Sequence, residues 1–260
     1  MESNNIYNMD CLEGMEMLDD KSIDMILADL PYGTTQNKWD SIISLSKLWL
    51  QYERIIKENG VIVLTAQTPF DKILGSSNLE LLRYEWIWKK EAGTGFLNAK
   101  KMPLKDHENI LVFYKKLPTY NPQMELGEKY KGTYSSNNLG SSNYGNSNND
   151  KIVEKTYNKR YPKTIIEFKR DYNKMHPTQK PVELFEYLIK TYTNENELVL
   201  DNCMGSGTTA VACLKTNRKF IGFELEEKYY NIAIKRIAKF DKGYLNELPE
   251  EEKPRQTQLF

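Results

Sequence analysis

Apolar residues recur along this chain in two rhythms, and the switch between them marks the elements. Short apolar runs in "NIYNMD" (5–10) and "SIDMILAD" (22–29) predict buried strands, with helical spacing from Leu12 to Leu18 between them. Helical spacing returns between Leu45 and Ile56, and "GVIVLTAQ" (60–67) predicts a third strand. Strands alternating with helices imply a parallel sheet. The aromatic-rich runs "RYEWIWKK" (83–90) and "ENILVFYKK" (108–116) predict two more strands, joined by "EAGTGFLNAKKMPLKDH", a loop long enough to be functional.

The rhythm is lost after residue 116. Residues 132–150 hold six Asn, five Ser and three Gly, a composition that cannot bury enough apolar surface to offset its ordering entropy, so an irregular loop is expected there. Periodicity resumes in "MHPTQKPVELFEYLIKTY" (175–192). Leu184, Phe185, Leu188 and Ile189 line one helical face, and Pro181 stands where a first helical residue would. "NELVLDNCMGSGTTAVACLKTNRKFIGFELEEKYYNIAIKRI" then reads as strand, glycine turn, helix, strand and helix, one complete βαβ unit.

Composition narrows the class. With 260 residues and 40% apolar content the chain can bury a sizeable core. Cys11, Cys203 and Cys213 have no metal-ligand spacing, which predicts reduced thiols, no structural metal and a cytoplasmic protein. Neither a leader pattern nor an 18-residue apolar run is present, so no membrane partner is expected. Lys plus Arg equals Asp plus Glu at 36 each, so net charge favours no partner. Distribution does more: between Lys151 and Lys180 nine cations face three acids, with Tyr157, Tyr161 and Tyr172 interleaved. That suits a nucleic-acid face, and equally a solvated charged surface.

The candidate chemistry sits where predicted strands end. Gly205 and Gly207 lie between the strand ending at Asp201 and the helix starting near Thr208, where backbone N–H groups favour an anionic or carboxylate-bearing ligand. "GSGTT" lacks the lysine of a Walker A loop. Glu224, 23 residues after Asp201, closes the next strand where an acid can accept ribose hydroxyls. Asp29 to Tyr32, "DLPY", ends an apolar strand and would lie on the same sheet edge. A carboxylate and a backbone carbonyl that accept the two N–H bonds of a nucleobase amine favour the geometry that frees its lone pair, while an aromatic face holds the ring. A plain turn is the alternative.

These residues carry a resemblance. "DLPY" resembles the D/N/S-P-P-Y/F motif of amino-group DNA methyltransferases, "DNCMGSGTT" their D-P-F-x-G-S-G-T-T motif, "HPTQKP" the segment preceding it, and "NMDCLEGM" their G-D-C-L-E segment. The order looks like the β class. The resemblance implies an α/β, Rossmann-like S-adenosylmethionine-dependent fold, a mixed, mostly parallel seven-stranded sheet with permuted motif order. It divides the chain into a catalytic half (1–116), an inserted target-recognition segment (117–175), a cofactor half (176–240) and a flexible tail (241–260). Asp29, the Leu30 carbonyl, Pro31 and Tyr32 would form the catalytic motif. Asp10 and Cys11 would border the adenine of S-adenosylmethionine, and Thr178 and Lys180 would reach its methionine end. Asp201, Cys203, Gly205, Ser206, Gly207 and Thr208 would line it, with Glu224 on its ribose.

Departures are Leu30 for the first proline, and Asn202 and Cys203 for Pro and Phe. An aspartate heading the motif favours adenine N6 in double-stranded DNA, reached by base flipping. Cytosine N4 methylation and a catalytically idle DNA-binding module are the alternatives. A cognate restriction endonuclease and a homodimer stay open. "QTQLF" resembles a sliding-clamp peptide, with Gln256, Leu259 and Phe260 as its key positions, against an accidental apolar end.

Overall fold

The computed structural model describes residues 1–33, 43–134, 153–171 and 179–240. In chain order the elements are β1 (Asn5–Tyr7), α1 (Cys11–Glu16), β2 (Ile23–Asp29), α2 (Leu45–Ile55), β3 (Ile56–Ala66), α3 (Phe70–Ser77), β4 (Leu82–Thr94), β5 (Lys105–Phe113), β6 (Glu125–Tyr134), β7 (Val153–Arg160), β8 (Ile165–Glu167), α4 (Val182–Tyr192), β9 (Leu198–Asp201), α5 (Thr208–Lys215), β10 (Lys219–Phe223) and α6 (Glu227–Ile237). The main sheet runs β1-β10-β9-β2-β3-β5-β4-β8. Only β5 opposes the rest: it is antiparallel to both β3 and β4, while every other pairing in the sheet is parallel.

The sheet therefore has eight strands, one more than expected. The extra strand is β8, whose three residues pair with Ile87–Lys89 of β4. "IIE" is too short for periodicity to reveal, and only its central Ile166 is buried.

The uninterrupted apolar runs follow from a sheet covered on both faces. Met25, Leu27, Val61, Val63, Ile110 and Val112 face a layer with residues of α4, α5 and α6. Their alternates Ile26, Ala28, Ile62, Leu64, Leu111 and Phe113 face α1, α2 and α3. Burial of this kind stabilises by about 25 cal/mol per Å² of apolar surface, and it leaves the strand ends as the place where polar residues gather.

Two compact units form: Met1–Asn121 with the chain from Thr164, and Pro122–Lys163. The second is an antiparallel ribbon of β6 and β7, in register from Glu125↔Arg160 to Tyr134↔Val153 with an irregularity between Leu126 and Tyr130. Residues 135–150, most of the Asn/Ser/Gly-rich stretch, lie outside the described residues, as do Thr178 and the whole of 241–260 with its terminal "QTQLF". Among the described residues no helix is long and apolar enough to cross a membrane.

Candidate active site

Four acids stand at the carboxyl edge of four adjacent strands. β2 ends in Asp29 and β9 in Asp201, while Glu224 follows β10 and Asp10 lies three residues beyond β1. Because these strands run parallel, all four belong to one edge, the usual place for a ligand in an open α/β sheet.

Asp29 is fully engaged. Its Oδ1 accepts hydrogen bonds from the Tyr32 hydroxyl at 2.6 Å and from the Thr65 hydroxyl of β3. Its Oδ2 accepts one from Lys180 Nζ at 2.6 Å. The Tyr32 ring stacks on Phe70 with centroids 5.3 Å apart, and Lys180 Nζ lies over the same ring, 5.6 Å from its centroid. Burial and the adjacent Asp29 charge push the Tyr32 hydroxyl well above its ordinary pKa. Burial alone would lower the Lys180 ammonium, but the carboxylates of Asp29 and Glu108 outweigh it and hold the group well above its usual value. Glu108 of β5 lies 3.2 Å from Lys180 and 2.5 Å from Lys90. Burial alone would raise its carboxyl, but those two cations together hold it below the ordinary range.

The glycine turn between β9 and α5 is held by the neighbouring acids. Asp201 accepts the Cys203 N–H at 3.0 Å and the Thr209 hydroxyl. Glu224 accepts the Gly205 N–H at 2.7 Å and the Glu226 N–H at 2.9 Å. Burial pushes Asp201 up to about 7 and raises Glu224 as well, against the hydrogen bonds that pull both down. Gly205 and Gly207 both adopt left-handed backbone (φ 56° and 81°), which glycine tolerates best. Among the described residues a side chain at Gly205 would meet only the Cys203 carbonyl, at 4.0 Å, while one at Gly207 would lie 3.0 Å from Ala233 Cβ.

Gln179 and Lys180, the described part of "HPTQKP" with Pro181, tie the two regions together. Lys180 reaches Asp29, its own carbonyl accepts the Thr208 hydroxyl at 3.4 Å, and Gln179 accepts the Ser206 hydroxyl at 3.2 Å. Buried Arg236 of α6 donates to the Ser206 carbonyl and to the Ser206 and Thr208 hydroxyls. Asp10 caps α1 through the Leu12 and Glu13 N–H groups, and Cys11 is the first residue of that helix. The neighbouring Cys11 thiol, with burial, holds the Cys203 thiol well above its ordinary value. Asn202 is anchored from α2, its Oδ1 accepting the Tyr52 hydroxyl at 2.5 Å. The Leu30 side chain is buried in the core, so the backbone around it is fixed by packing where the family has proline.

Thus Asp29, Tyr32 and Lys180 meet in one cluster, and Ser206, Gly207, Thr208 and Glu224 meet around the turn. Thr178 lies outside the described residues. Sequence reasoning missed Thr65, Lys90, Glu108, Gln179 and Arg236. A single polar letter inside "VIVLTAQ" was a usable signal for Thr65; Glu108 was read only as the start of a strand.

The chemistry of the turn fits S-adenosylmethionine: the backbone at Gly205 is clear of side chains among the described residues, and the carboxylates of Glu224 and Asp10 stand on the same sheet edge. Comparisons with known proteins show the family. The profile of a DNA methylase family, covering N6 and N4 methyltransferases, matches residues 23–235. The chain is 29% identical over 256 residues to the type II methyltransferase M1.MboII of Moraxella bovis, spanning 90% of this chain and 96% of the relative. It is 28% identical to the DNA adenine methyltransferase YhdJ of Escherichia coli K12, spanning 91% and 83%. In structure it is similar to the M1.HpyAVI complex with S-adenosylmethionine, with TM-score 0.61, 26% identity and coverage of 89% and 98%. It also shares its fold with the cytosine-N4-specific PvuII methyltransferase, with TM-score 0.62, 16% identity and coverage of 95% and 94%.

Proposed function

The chain belongs to the S-adenosylmethionine-dependent DNA methylases of the N6/N4 amino type, and from that premise we propose that it methylates the N6 amine of adenine in double-stranded DNA, with Asp29 as the residue that receives the amine. The observation that carries this reading is Asp29 itself, a carboxylate at the end of β2 on the same sheet edge as the glycine turn. The adenine activity in the name of YhdJ, aligned over most of both chains, supports the choice of base.

An exocyclic amine is a poor nucleophile because its lone pair is drawn into the ring. Asp29 and the Leu30 carbonyl accept its two N–H bonds, and the carboxylate stabilises the positive charge that develops on nitrogen. Tyr32 provides the aromatic surface for the extruded base. When bound, S-adenosylmethionine supplies an electrophilic methyl group on sulfonium. Glu224 receives the ribose, Asp10 and Cys11 border the adenine ring, and the backbone of Gly205 to Thr208 lines the remainder. Thr178 and Lys180 stand toward the methionine end in this reading. Extrusion of the target costs roughly a few kcal/mol, recovered through stacking and edge contacts. Positioning supplies most of the acceleration.

Residues 117–175 are assigned to target recognition, with their basic and tyrosine side chains on phosphates and bases. The test of the enzyme reading is transfer of labelled methyl to duplex DNA, followed by digestion to nucleosides. Label in N6-methyl-2′-deoxyadenosine is expected from the unaltered chain and none from Asp29→Ala. Label in N4-methylcytosine overturns the choice of base, and no label in any DNA of varied sequence overturns the enzyme reading.

A further inference from the structure

Lys180 stands where two of the target's contacts must form. It is an N–H donor on Asp29 Oδ2, and it lies over the Tyr32 ring. Oδ1 is already shared by Tyr32 and Thr65, so Oδ2 is the less occupied carboxylate oxygen, and the ammonium holds it. The same charge has an energetic consequence. Methyl transfer moves positive charge onto the amine nitrogen, and a carboxylate neutralised by an adjacent ammonium stabilises that charge poorly. The ammonium must move off Asp29 for the acid to act at full strength.

The protein has a second acceptor ready. Glu108 is buried, and its Oε2 lies 3.2 Å from Lys180 Nζ but makes no hydrogen bond among the described residues. That oxygen has an ion-pair partner but no aligned N–H, and a donor turned onto it would strengthen the contact. Its other oxygen is tied to Lys90 at 2.5 Å, which fixes the side chain in place. Since Nζ is already within ion-pair distance, passing from one acid to the other needs only a small rotation of the lysine end.

We propose that Lys180 is a resident stand-in for the target amine, and that Glu108 is a positioning residue that takes the ammonium when the extruded base claims Asp29. The pair Lys90–Glu108 thereby sets the strength of Asp29 without touching the base. This rests on the reading of Asp29 as the amine acceptor. In the absence of DNA the lysine keeps Asp29 paired; in its presence the four charges remain balanced, with both ammonium groups on Glu108.

The test is a pair of substitutions read by single-turnover methylation, with affinities for S-adenosylmethionine and DNA measured separately. Glu108→Gln removes the alternative acceptor, leaves the ammonium on Asp29, and lowers the transfer rate about ten- to a hundredfold with affinity for DNA kept within about threefold. Glu108→Asp, which keeps the charge, retains most of the rate. Adding Lys180→Met to Glu108→Gln removes the competitor and raises the rate at least about fivefold above the single variant at saturating S-adenosylmethionine. A double variant no faster than Glu108→Gln overturns the proposal while wild-type activity leaves the enzyme reading intact. If Glu108→Gln does not fold, Glu108→Asp decides: a rate lowered as far as that of Asp29→Ala overturns the proposal. A wild-type chain that methylates no base overturns both readings.

Discussion

At the residue scale the site depends on how few free acceptor positions its acids keep. Asp29 bonds Tyr32, Thr65 and Lys180, and these contacts pre-orient the carboxylate before any base arrives. Asp29→Ala should therefore abolish methylation, a loss of at least about a hundredfold, while binding of S-adenosylmethionine, followed by calorimetry, changes little. Leu30→Pro should keep the activity, because the position contributes its carbonyl, and any residue has one. Asp201 makes a different prediction. Its carboxyl is raised from 3.8 to about 7 in the fold, so between those values the native state holds a proton that the unfolded chain has lost. On this group's account stability falls as pH rises from about 4 to about 7, then levels off. Asp201→Asn should flatten that part of the melting-temperature profile; an unchanged profile would show that the carboxyl ionises at its ordinary pH. The acids and glycines were readable from residue type and order. Glu108 and Lys90 were not, because their meaning comes from Lys180, whose bond to Asp29 spans 151 residues of sequence.

At the element scale the strand, turn and helix of β9 and α5 form the proposed cofactor region, and the turn's left-handed positions favour glycine. Gly207 combines left-handed backbone with close packing against Ala233 of α6. Gly207→Ala should cost about 1–2 kcal/mol from backbone conformation alone and lower the melting temperature by several degrees. It should also weaken binding of S-adenosylmethionine, measured by calorimetry on the folded fraction. Periodicity located β2, β9, β10 and α4 closely, because their apolar runs are bounded by polar residues, but it found only the apolar part of β3, which starts at Ile56 with the half-exposed "IKEN". It underestimated β4 and β5, which extend to Thr94 and from Lys105 as a ribbon of exposed, mostly polar residues held by backbone pairing. Pattern reading follows burial, and a ribbon outside the core carries no such pattern. β8 was hidden by its length, three residues of which only Ile166 is buried. Pro181 proved to be the residue before α4, extended at ψ 135°, so the helix starts one position later than its proline signalled.

At the scale of the whole molecule, zero net charge conceals an uneven distribution. The basic stretch between 151 and 174 is the proposed DNA-contacting face, and its contribution should be electrostatic. Reversing Lys159 and Lys163 to Glu should weaken DNA binding across sequences and reduce the slope of log affinity against log salt by about one for each phosphate the protein no longer neutralises. Unchanged affinity and slope would remove this stretch from the interface. Fold class was legible because four motifs in one order require strands that end on one edge, and the sheet has that edge. Which DNA sequence is read was not legible, since recognition depends on side-chain placement and not on periodicity. The most direct test of the central claim is mass spectrometry of nucleosides from the DNA of cells expressing this chain or its Asp29→Ala variant. N6-methyladenine that appears with the unaltered chain and is absent with the variant is the predicted result; equal levels in the two, or N4-methylcytosine in its place, would contradict it.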